Sequence, residues 1–170
     1  MSATVAAASA TSSPRNAKAY QTILVAGLIA GTLDITAACV RAWLRTHETA
    51  NPVTPLRVGR YIASAALGPS ALTGGRMTAL LGFAFHYLIA TTAAAVFYLV
   101  SRKLRFLVEW PVSMGLLYGV LVYLFMNFVV VPLSKLGFRA SPLSNRLVEM
   151  LIIMLCVGLP IALIVRRFSK

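Results

Sequence analysis

Four stretches of the chain are apolar almost without interruption, at about 20–44, 77–100, 112–132 and 147–165. Each is near the twenty residues that cross a hydrocarbon layer about 30 Å thick. A backbone in lipid must satisfy its own hydrogen bonds, and a chain of this length cannot close a barrel, so each stretch is expected to be a helix. The pattern predicts an all-α membrane protein, a four-helix antiparallel bundle occupying residues 20–170. Residues 1–19, rich in Ala, Ser and Thr with no periodic apolar face, are expected to form a disordered leader. The first apolar run is too long for a signal-peptide core and holds an acid, so it is read as a span rather than a cleaved signal.

The polar connections differ in length. Only the first, about 45–76, is long, and within it "TPLRVGRYIASAALGP" carries a helix start at Thr54-Pro55 and a stop at Gly68-Pro69. Residues 55–67 are expected to form a helix with Arg57, Arg60 and Ser64 on one side and Val58, Ile62, Ala65 and Ala66 mostly on the other. Such a helix lies in the membrane interface or is an ordinary solvated loop helix. The shorter connections at 101–111 and 133–146 predict that consecutive spans pack antiparallel.

Composition agrees with the pattern. Of 170 residues 59% are hydrophobic and 12% charged, and the mean hydropathy is +0.81. A soluble domain is about 25% charged, so the surplus of apolar side chain needs lipid. Sixteen Lys and Arg against four Asp and Glu give +12. In a soluble protein that charge would suggest nucleic acid, but here the basic residues flank apolar runs and no nucleic-acid motif is present. Arg57, Arg60, Arg102, Lys103, Arg105, Arg166 and Arg167 are the expected contacts with anionic lipid headgroups. The basic residues are split evenly between the two membrane sides. Those on the side of the termini sit closer to span ends, which favours cytoplasmic termini.

The candidate chemistry lies inside the spans. Asp34 interrupts "LIAGTLDITAACV" and shares a helix face with Gly27, Ala30, Gly31, Ala37 and Ala38, a small-residue stripe that a neighbouring helix can approach. A charged Asp at the centre of a span costs about 2.5–3.5 kcal/mol on the insertion scale. It needs a partner, a wet cavity or a proton. His86, on a stripe with Gly82, Ala90 and Ala93, lies at the same depth, roughly 12–14 Å below the surface bearing the long loop at 1.5 Å per residue. Asn127 and Glu149 fall in the same half of the membrane. The four polar residues are expected to form a proton or cation site, or alternatively a structural hydrogen-bonded contact that fixes helix register. Glu149 is also close enough to the interface to be merely solvated, with Arg146 as a neighbour.

Gly115-x-x-x-Gly119 in the third run marks another close helix contact. With Gly27, Gly31 and Gly82 it forms the set of expected packing glycines, and such faces also suggest a homo-oligomer. No metal or cofactor is expected. Two histidines, only one of them within a span, and four acids make neither a bis-histidine haem site nor a di-iron site. Cys39 and Cys156 have no metal-ligand spacing, and no catalytic residue is assigned, because no nucleophile motif is present.

"GLIAG" at 27–31, the span with His86 followed by "VFYLVS", and a third span with spaced glycines ending in Pro132 give the chain a pattern. In that pattern it resembles the small uncharacterised bacterial inner-membrane proteins of the YagU type. The resemblance implies a helical bundle in a bacterial inner membrane and brings no activity or catalytic residues. Two functions are carried forward. One is a small transport or proton-linked protein using Asp34 and His86; the other is a non-catalytic membrane subunit or scaffold whose polar residues fix helix packing.

Overall fold

A computed structural model describes residues 14–137 and 142–168. Four helices are long and apolar enough to cross a membrane: Asn16–Thr46, Arg76–Ser101, Pro111–Leu133 and Leu143–Phe168, here the first to fourth spans. Among the described residues there is no strand. Large apolar side chains point outward along the spans, including Leu28, Leu88, Leu121 and Phe125, each more than half exposed. A surface of this kind is covered by lipid.

The first helix begins at Pro14 rather than at residue 20, so the expected disordered leader is corrected over 14–19, while 1–13 lie outside the described residues. Proline is well suited to the first turn of a helix, where its missing N–H has no partner to lose and its φ is already helical.

The third and fourth spans each contain a widened turn, Met126–Val130 and Met154–Gly158. The cause is a proline two residues further on. Pro132 and Pro160 have no N–H, and their rings would collide with the carbonyl four residues back. The residue just before each proline instead donates five residues back, Val131 N–H to Met126 O and Leu159 N–H to Met154 O. Asn127 sits in the first widened turn, and its Nδ2 donates to Tyr123 O at 3.0 Å. Widened turns of this type occur frequently at functional sites.

The order of the spans in space is second, first, fourth, third. The first and second spans, joined by the long connection, are neighbours, and the expectation that a short connection packs consecutive spans together holds for the third and fourth. It fails for the second and third, which meet chiefly through Tyr118. Its hydroxyl donates to Ala93 O at 2.7 Å, and its ring stands edge-on to Phe97 at 4.9 Å. Loop length fixes the direction of the next helix but not its neighbour. The neighbours are chosen by glycine contacts, since van der Waals packing is what holds helices together in lipid. Gly27 faces Thr91, Gly31 faces Tyr87 and Ala90, and Gly115 and Gly119 face Gly158 and Met154.

The loop helix spans Pro55–Leu67, and it ends where Gly68 adopts φ 94°, a conformation that favours glycine. Its buried residues are Gly59, Ala63 and Ser64. The expected division of faces is thus corrected: Ser64 belongs to the packed stripe, and its hydroxyl is satisfied by Tyr61 O at 2.7 Å. This stripe lies on the second span, where a Cβ on Gly82 would collide with Gly59 O and come within 2.8 Å of Gly59 C. Lys135 N–H, just beyond the third span, donates to Ala65 O at 2.9 Å and ties the loop helix to that end of the bundle. Gly82→Val is therefore expected to release the loop helix. Hydrogen exchange should then rise over 55–67 with little change in the four spans, whereas unchanged exchange there would contradict this packing.

The main buried apolar cluster lies in one half of the bundle, while Ala63, Ala71, Ala79 and Tyr123 are buried in the other. Ala26, Ala30, Ala94, Phe97, Val157, Ile161, Ala162 and Val165 form one buried apolar cluster, towards the end that carries the 101–111 connection. That other half, beneath the long loop, also holds a cavity.

Candidate functional site

Asp34, Ala38, Arg41, Ala42 and Arg45 follow one another at offsets of four, seven, eight and eleven residues, and so share one face of the first span. That face forms one wall of a cavity of about 540 Å³, a size common for small-molecule sites. The loop helix contributes Arg57, Val58 and Tyr61, the third span Tyr123 and Asn127, and the fourth Glu149, Ile152 and Ile153. The widened turn at Asn127 and the close approach of the loop helix at Gly59 bring these elements together.

Asp34 lines the cavity and is 24% exposed. Among the described residues it accepts no hydrogen bond, and its ion-pair partner is His86, with Nε2 at 4.0 Å from Oδ2. His86 lies behind Asp34 and does not line the cavity. Its Nε2 is 2.9 Å from Gly31 O. A carbonyl can only accept, so Nε2 carries a proton, and the hydrogen bond to the backbone fixes the tautomer. Gly31 O and the Asp34 carboxylate thus compete for one N–H, and at present the carbonyl holds it.

Glu149 is held differently. Arg41 Nη1 lies 3.1 Å from its Oε1, with the two side chains 16% and 39% exposed. Arg41 Nη2 also donates to Asn145 O at 3.1 Å, and Arg45 Nη2 donates to Asn145 Oδ1. The start of the fourth span is thereby pinned to the end of the first. Arg57 Nη1 donates to Asn51 O at 3.1 Å.

The structure brings Asp34, Asn127 and Glu149 to one cavity and sets His86 within ion-pair distance of Asp34. Of the expected headgroup contacts, Arg57 lines the cavity. Arg60 is half-buried, with an Nε that has no partner among the described residues. Arg102, Lys103 and Arg105 are exposed at the opposite end, Arg167 is exposed and Arg166 half-buried. Sequence reasoning missed Arg41 and Arg45 as cavity residues, because both flank an apolar run and so read as interface anchors. Their spacing from Asp34 was the signal that could have found them. No group of three or more His, Cys, Asp or Glu among the described residues could hold a metal ion. Compared with known proteins, the chain matches no family model, no curated protein and no solved structure.

Proposed function

We propose that this is a small transport or proton-linked membrane protein in which Asp34 takes up a proton or cation within the cavity. The carrying observation is that, among the described residues, Asp34 opens on the cavity with no hydrogen bond and no Arg or Lys partner within 4.0 Å, whereas Glu149 has Arg41. An ionised carboxylate at this depth is costly unless compensated, and intramembrane acids facing a cavity commonly belong to ion or proton pathways. His86 is the neighbour with which Asp34 exchanges that proton: once Nδ1 has taken up a proton, the imidazolium turns Nε2–H from Gly31 O to the carboxylate, gives it up and is left neutral with its proton on Nδ1. Asn127 and Glu149 add to the polar lining. The sequence pattern shared with YagU-type proteins supports a bacterial inner membrane, and the basic residues near span ends support cytoplasmic termini.

The test is proton and cation flux into liposomes containing the purified protein, as wild type and Asp34→Asn, with a thermal melt of each. Flux that disappears in a stably folded variant supports the proposal. Equal flux in both, or none in either with equal melts, rejects it.

A second reading has its own observation. The His86–Gly31 hydrogen bond crosses from the second span to the first, as expected of a scaffold whose polar residues fix helix register. Such bonds are worth about 0.6–2 kcal/mol. His86→Gln separates the two, because Gln retains an N–H donor for Gly31 O but cannot exchange a proton at pH 7. If His86 relays protons, flux should fall about tenfold or more with an unchanged melt, since a positioned acid–base group contributes at least that much. Retained flux would make His86 a register contact only.

A further inference from the structure

The cavity mouth carries a charge imbalance that the proton chemistry does not use. Three arginines and two acids line the cavity. Glu149 is met by Arg41, and Asp34 stands beside His86. Arg45 and Arg57 have no acidic partner among the described residues; each donates to a neutral oxygen, Asn145 Oδ1 and Asn51 O. A guanidinium has five N–H donors in a planar fork that matches a carboxylate or phosphate, so both retain donors for a ligand. The remaining wall is largely aliphatic, with Ala38, Val53, Val58, Leu72, Ile152 and Ile153. Two cationic forks beside an apolar chamber match a molecule with an anionic head and an apolar body.

The geometry points to a binding site for an amphiphilic organic anion, its phosphate or carboxylate held by Arg45 and Arg57 and its hydrocarbon part lying in the cavity. This rests on the reading of the cavity as a solute site, but not on proton uptake by Asp34. The same head group is found on a free organic phosphate and on a membrane phospholipid. The aliphatic chamber accounts for a preference over inorganic phosphate, because burying the body adds about 0.8 kcal/mol per methylene.

The test is calorimetric titration of hexyl phosphate into the full-length protein in phosphatidylcholine nanodiscs, with empty discs as the blank. Wild type is expected to bind hexyl phosphate more tightly than inorganic phosphate and to show no comparable binding of hexyltrimethylammonium. Arg45→Ala and Arg57→Ala should each weaken binding about tenfold or more, the loss expected when a charge-assisted hydrogen bond is removed. Arg102→Ala, at the opposite end of the bundle, should leave it unchanged. Arg45→Lys keeps the charge and serves if the alanine variant fails to fold, with a smaller loss expected. Unchanged binding in folded Arg45 and Arg57 variants would overturn the site. So would hexyltrimethylammonium binding as tightly as hexyl phosphate and being lost in Asp34→Asn, which would make the cavity a cation site. If phosphatidylglycerol in the disc competes with hexyl phosphate, the site stands and a bilayer lipid is its occupant; if it does not, the site stands and the anion comes from solution. Hexyl phosphate binding that persists in Asp34→Asn separates this site from the proton reading, since failure of either leaves the other measurable.

Discussion

Gly158→Val is expected to destabilise the bundle by about 3 kcal/mol or more, at the upper end of overpacking effects. A Cβ on Gly158 would fall on Gly115 O and lie 2.6 Å from Gly119 N and 2.7 Å from Gly119 Cα. All of these are backbone atoms of the opposing helix, so no side chain can rotate aside. The third and fourth spans would have to separate along their contact, and helices in lipid have no hydrophobic drive to close such a gap. The widened turn at Met154–Gly158 is what presents Gly158 to Gly115 and Gly119, so the loss should extend to the wall that Ile152 and Ile153 give the cavity. Gly75→Ser is the matched control. A Cβ there meets nothing within 4 Å, and Gly75 precedes the second span in an extended conformation that suits a capping serine. Its melting temperature should be unchanged or slightly raised. A Gly158→Val protein that melts with wild type would mean that the third and fourth spans do not pack through these glycines.

Asp34→Asn is expected to abolish flux while leaving the fold intact. Asn has nearly the same volume and shape and retains polar atoms towards the cavity, but it carries neither charge nor a dissociable proton. Asp34 accepts no hydrogen bond among the described residues, so no structural partner is orphaned by the exchange. Removing a charge that is not hydrogen-bonded within the membrane should if anything make the bundle more stable. The effect on flux should be complete, because no other acid near the cavity is free: Glu149 is engaged by Arg41 at 3.1 Å. Asp34→Glu retains the proton chemistry and should keep part of the flux.

The spans were legible because twenty apolar residues in a row have one physical solution in lipid. Depth was legible for the same reason. A fixed rise per residue placed Asp34 and His86 at one level, and they lie 4.0 Å apart. The span order was not, because connection length says nothing about which faces meet. Gly158 is the residue that decides the third and fourth spans, and it lies in a run where no periodic polar face drew attention to it. The widened turns were written in Pro132 and Pro160, whose effect on the ladder before them follows from the missing N–H. Arg41 and Arg45 were hidden by their location: at the end of an apolar run an arginine looks the same whether it faces headgroups or a cavity. Only the loop helix, folded back through Gly59 against Gly82, turns that end of the first span into a wall.

The most direct test of the central claim is infrared titration of the carboxyl stretching band in the reconstituted protein, as wild type and Asp34→Asn. The account predicts a protonated-carboxyl band that rises and falls over the pH range in which the protein carries flux, and that is absent from the folded Asp34→Asn variant. A spectrum with no Asp34 carboxyl band at any pH, together with undiminished flux in the variant, would contradict it.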